Sequence, residues 1–107
     1  MSEHCVIFIT AGSKEEAEKI SRGLVESKLA FCVSTLPKVQ STYYWEDKIY
    51  VDKEFLLIVK TRKDKYEALE TWVKNNHSYE VPEIIALPIE QGLPAYLNGI
   101  DDWVAKD

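Results

Sequence analysis

The fold class that the sequence predicts is an α+β sandwich, one antiparallel sheet of four strands with helices packed on it. Three observations predict it. Short apolar runs rich in β-branched residues alternate with amphipathic stretches, in the order strand, helix, strand, strand, helix, strand. The amphipathic stretches open on capping signatures. The two middle strands are joined by a tight reversal rather than by a helix.

Taken in order, Cys5-Val-Ile-Phe-Ile-Thr10 reads as the first strand. Ala11-Gly12 turns the chain, and Ser13 with Glu16 forms a capping box. Ala17, Ile20 and Leu24 then recur at helical spacing, giving a helix to about Ser27 or Lys28. Ala30-Phe-Cys-Val opens the second strand, which Pro37 must bend or bulge because proline has no ladder donor. The strand resumes from Val39 to Trp45. Glu46-Asp47-Lys48 reverses the chain without a glycine, and the return strand runs from Ile49 to Lys60. Asp64 and Glu67 repeat the capping signature before a helix carrying Tyr66, Leu69 and Val73, which ends near His77. Ile84-Ile85-Ala86-Leu87 is apolar on both faces and reads as a strand inside a covered sheet. Gly92-Leu-Pro94 introduces a last helix with Leu97, Ile100 and Val104 as its stripe. Two right-handed crossovers on one sheet make this βαββαβ order a ferredoxin-like sandwich, extended by a C-terminal helix. Residues 1–107 form a single domain, without repeats or linkers.

Composition narrows the function classes. Net charge is −5 over 107 residues, and the isoelectric point is about 5.0. That balance disfavours nucleic acid and anionic membrane as partners, since no basic face is left to release counterions. No apolar run has the length of a membrane span, and no leader pattern is present, so a cytoplasmic location is expected. Cys5 and Cys32 lack metal-ligand spacing and read as buried free thiols.

Two segments stand out. Thr42-Tyr-Tyr-Trp45, answered by Tyr50 and Phe55, makes an aromatic ribbon whose strands, at about 3.3 Å per residue, outrun helices rising about 1.5 Å per residue. Its protruding half predicts self-association into a closed homo-oligomer. The second segment, His77-Ser-Tyr-Glu-Val-Pro-Glu83, places an imidazole, a phenol and two carboxylates between a helix end and a strand. His77 and Glu80 are candidate metal ligands, with a kink at Pro82 needed to turn Glu80 and Glu83 the same way. His77 reads equally as a helix C-terminal residue favoured by the dipole. Trp45, Lys60, Tyr79 and Glu83 are candidates for a polar small-molecule site between subunits. The alternative for Lys60 is an ion pair with a glutamate that sets the register of assembly. Thr10-Ala-Gly-Ser-Lys14 has some elements of an anion-binding turn, although an ordinary strand-to-helix turn fits it better. No nucleophile–base pair follows from spacing, so no enzyme is expected.

Leu29-Ala-Phe-Cys-Val33, Tyr44-Trp45 with Ile49, Glu54, Leu56-Leu57, Lys60-Thr61, His77, Tyr79-Glu-Val-Pro-Glu-Ile84 and Tyr96-Leu97 together resemble the divalent-cation tolerance (CutA) family over nearly the whole chain. That resemblance implies a ferredoxin-like subunit in a tight homotrimer, divalent-metal binding with copper most often proposed, and a role in metal tolerance and homeostasis. It also implies a likeness in architecture to the trimeric PII signalling proteins. A PII-like regulatory trimer holding a small anion in its intersubunit cleft is therefore the alternative function. The chain departs from the family pattern at Ser78, where proline is common, and at Asp47, where glycine often stands. Ile9 and Asn76 occupy places where some members carry a cysteine and a second histidine.

Overall fold

The computed structural model describes residues 3–104. β1 (His4–Ala11), α1 (Lys14–Glu26), β2 (Cys32–Trp45), β3 (Lys48–Arg62), α2 (Tyr66–Asn76), β4 (Ile84–Pro88) and α3 (Pro94–Val104) follow one another. The strands form one antiparallel sheet in the order β2-β3-β1-β4. Each crossover therefore skips one strand, and the two are interleaved, which is the ferredoxin-like arrangement predicted.

Period-two alternation sorts the sheet into two faces. Cys5, Ile7, Ile9 and Ala11 of β1 lie beside Leu57, Val59 and Thr61 of β3 on the helix side, all of them buried. Ala17, Ile20 and Leu24 of α1 and Leu69 and Val73 of α2 complete this core. Gly23 lets the two helices close up, because a Cβ there would meet the Trp72 ring at 2.4 Å. Thr61 satisfies its buried hydroxyl by donating to the Leu29 carbonyl at 2.7 Å. α3 closes one end of the sandwich. Its Trp103 Nε1 donates to the Val25 carbonyl at 2.9 Å, and its Asp101 accepts from Arg62 and bonds His4.

The β2–β3 hairpin carries 14- and 15-residue strands well beyond the helices, so the molecule measures 43 × 25 × 22 Å. Its loop is the two residues Glu46 and Asp47, both left-handed at φ 46° and 65°, between the paired Trp45 and Lys48. That is the twist a type I′ turn supplies, achieved here without glycine. The bend expected at Pro37 is a bulge. Leu36 pairs with Leu56 but Val39 pairs with Glu54, so β2 holds one extra residue, and Lys38 sits at φ 60°.

Two expectations are corrected. β4 is an edge strand, not an inner one, and Ile85 and Leu87 are 52% and 46% exposed. Its apolar run was read as covered on both faces, but the helices cover only one side of the sheet. Asp64 does not cap α2: the chain takes a 3-10 turn over Lys63–Lys65, and Asp64 pairs with Arg62 instead. Proximity of the guanidinium outcompeted the cap.

Candidate functional site

The extra residue in β2 decides what the site contains. Before the bulge, Cys32, Ser34 and Leu36 point to the open, helix-free face; after it, Ser41, Tyr43 and Trp45 do. They therefore share a face with Thr10 of β1 and Glu54 of β3. The irregular segment 79–83 crosses in front of them and encloses a cleft of about 660 Å³.

The segment is fastened from behind. His77 leaves α2 in extended conformation, and its side chain is 0% exposed. Nε2 lies 2.7 Å from the Thr10 carbonyl, so that nitrogen carries the proton. Nδ1 then accepts the Tyr79 backbone N–H at 3.0 Å. Both nitrogens are engaged and the ring has no lone pair to give. The expectation of metal ligation by His77 is not met by this geometry; the imidazole shapes the segment instead, and packs 4.7 Å from the Tyr79 ring.

Glu16 makes a second fastening. Its carboxylate accepts from the Ser78 N–H at 2.7 Å, the Ser78 hydroxyl at 3.0 Å and the Gly12 N–H at 3.4 Å. Burial pushes this carboxyl up, but the bonds from Ser78 and the Gly12 N–H outweigh it and hold it below its ordinary value. The Ser13–Glu16 cap is present, with Ser13 Oγ accepting the Glu16 N–H at 3.1 Å. A carboxylate thus already occupies the Gly12 donor, and the turn at Thr10–Lys14 is an ordinary strand-to-helix connection.

Tyr79 reaches inward to donate its hydroxyl to Glu54 at 2.7 Å. Burial and then that carboxylate push the phenol well above its usual range. Gly12 leaves room for this reach, since a Cβ there would stand 2.8 Å from the Tyr79 hydroxyl and push it aside. Glu54 is only 6% exposed. Glu83 is raised by burial and by the Glu54 charge, so the two carboxylates sense one another.

Of the residues singled out in the sequence, Trp45, Tyr79, Glu80 and Glu83 all line the cleft. Glu80 and Glu83 lie on either side of Val81 and Pro82, and both border the same cleft. Lys60 does not join them: it lies six residues along β3 from Glu54, roughly 20 Å away at strand rise. There its ammonium donates to Ser34 Oγ and the Ile58 carbonyl. Sequence reasoning missed Glu54 and Tyr43 as cleft residues. The signal was present in Pro37, because a bulge there reverses the parity of everything after it. The lining carries three carboxylates and no lysine, arginine or histidine. Among the described residues, no three His, Cys, Asp or Glu side chains are placed to hold one metal ion.

A family model for CutA1 divalent ion tolerance proteins matches residues 5–106. The Divalent-cation tolerance protein CutA of Archaeoglobus fulgidus is 48% identical over 101 residues, 94% of this chain and 98% of that protein. The Protein CutA homolog of Xenopus laevis is 47% identical over 99 residues, 92% of this chain but 66% of that longer protein. The solved A. fulgidus structure, described as a periplasmic divalent cation tolerance protein, aligns with TM-score 0.91 over 94% of this chain and 98% of its own. CutA from Xylella fastidiosa aligns with TM-score 0.93 at 40% identity, over 96% of this chain and 99% of its own. With the interleaved crossovers, the long hairpin and the His77–Glu83 segment all in place, the chain belongs to the CutA1 divalent ion tolerance family.

Proposed function

We propose that this protein acts as a homotrimer that binds divalent cations in its acidic clefts and so contributes to metal-ion tolerance. The observation that carries this reading is the cleft lining, with Glu54, Glu80 and Glu83 and no basic side chain. Such a lining attracts cations and repels anions, so the alternative of a PII-like anion site loses support, the more so with Lys60 elsewhere.

A tight copper chelate does not fit a single protomer, because His77 has no free nitrogen and no triad of donors converges among the described residues. What fits is a borderline or hard ion held by carboxylates while keeping part of its water. Copper ranks first in intrinsic affinity for such donors and is the ion to titrate first. Calorimetry with Cu²⁺ should give saturable binding that Glu83→Gln weakens about tenfold, equivalent to about 1.4 kcal/mol. Unchanged affinity in that variant would remove the cleft from the function.

Support for the trimer comes from the open face of the sheet, where Leu36, Ile85 and Leu87 stay 46–52% exposed, and from the uncovered ribbon. Light scattering should report about three times 12.3 kDa; a lone protomer at micromolar dilution would overturn this part. The reading assigns binding rather than catalysis and places it in the cytoplasm, which fractionation of the producing cell would check.

A further inference from the structure

The geometry points to the cleft formed by Tyr43, Trp45, Tyr79, Glu54 and Glu83 as a binding site for a small organic ammonium ion, a ligand class distinct from a metal. The inference shares its cleft with the function proposed above and rests on that placement, but on no metal.

A tightly chelated metal ion asks for three or more converging donors, which the described residues do not supply, so metal can bind here only with part of its water retained. A protonated amine asks for something else: aromatic neighbours, one or two hydrogen-bond acceptors, and room. The lining offers aromatic residues, carboxylates and space. Three aromatic rings border the space, and one of them, Tyr43, is already braced from behind by stacking on Tyr50 at 5.5 Å and by donating to Asp52. About 660 Å³ lies within the range of roughly 300–1,000 Å³ typical of small-molecule sites and far exceeds the needs of one ion.

The acceptor is Glu54. It is 6% exposed, yet Tyr79 takes only its Oε2, and among the described residues no hydrogen bond reaches its Oε1. That second oxygen is open to the cleft, since no buried side-chain oxygen lacks a partner among the described residues, and it is free to accept from a donor that enters. An ammonium group donates two or three N–H bonds at once. It can serve Glu54 and Glu83 together and relieve the repulsion that raises Glu83. The nearest lysine of the ribbon tip, Lys48, is turned over the Tyr50 ring at 5.7 Å and is absent from the lining.

The test is calorimetry on the intact protein in an amine-free buffer with 1,4-diaminobutane as probe, 1,4-butanediol as its uncharged counterpart, and Cu²⁺ in parallel. The diamine is expected to bind saturably and the diol not at all. Glu54→Gln should weaken the diamine about tenfold or more. Glu83→Gln, at an exposed position that tolerates the change, should act in the same direction should Glu54→Gln fail to fold. Equal binding of diamine and diol, or a diamine indifferent to both carboxylates, overturns the inference. So does absence of diamine binding while Cu²⁺ still binds through Glu83, a result that leaves the proposed function standing. Diamine binding without Cu²⁺ binding does the reverse.

Discussion

The two halves of the β2–β3 ladder share strands and hydrogen-bond pattern but not surroundings. In the inner half, Leu57, Val59 and Thr61 are fully buried; in the outer half, Tyr44, Ile49 and Val51 are 68%, 73% and 57% exposed. The backbone bonding is the same in kind, so it cannot be what separates them. Each ladder bond replaces a bond to water and contributes little net, whereas covering apolar surface contributes about 25 cal/mol per Å². The inner half is therefore stable because helices lie on it. The outer half holds its shape through cross-strand contacts such as Tyr43 on Tyr50, and through the Tyr44 hydroxyl donating to Asp47 of the turn at 3.0 Å.

Leu57→Ala gives the largest expected effect, a loss of about 2–5 kcal/mol in denaturant unfolding. Val51→Ala in the same strand should stay within about 0.5 kcal/mol on the isolated protomer. If the two losses are alike, cover is not what distinguishes the halves. Next comes Trp45→Ala, which should weaken assembly by about 2 kcal/mol or more and leave the protomer's circular dichroism intact. Dissociation unaltered in dilution-series ultracentrifugation would take the tryptophan out of the interface.

Glu16→Gln should cost about 1 kcal/mol through the lost bonds to Ser78 and Gly12. Its pH signature sharpens the test. The folded carboxyl lies below its ordinary 4.5, so its contribution is complete above that value and disappears as pH falls through the lower, folded one. The variant should consequently show a shallower acid limb in a stability–pH curve, and a parallel curve would refute the clasp. Asp64→Ala is expected to be smallest, under about 0.5 kcal/mol by thermal unfolding, because its pair with Arg62 is exposed and Arg62 keeps Asp101.

Much of the fold was legible because it rests on local periodicity. Ser13 and Glu16 mark the start of α1, the stripe Ala17, Ile20, Leu24 marks its buried face, and Pro37 marks the bulge. The site was legible in part, since Tyr79, Glu80 and Glu83 are close in sequence and stay close in space. What escaped depends on partners far along the chain. His77 loses its metal-binding capacity to a carbonyl 67 residues away. Lys60 leaves the cleft because it is too many residues from Glu54 on one rigid strand. β4 looked enclosed because its composition suits enclosure, and only the strand order says that it lies outermost.

Glu46 and Asp47 carry a further consequence. Residues with side chains resist the left-handed region, so this reversal opposes the backbone preference of the residues that make it. The ribbon should not zip early on its own; it waits until the helices have organised the inner strands. Nascent chains should then be spared a bare, sticky pair of edges while their cores are unfinished. Replacing the pair by Asn-Gly should make the tip close sooner in stopped-flow tryptophan fluorescence, at the expense of more aggregation on refolding.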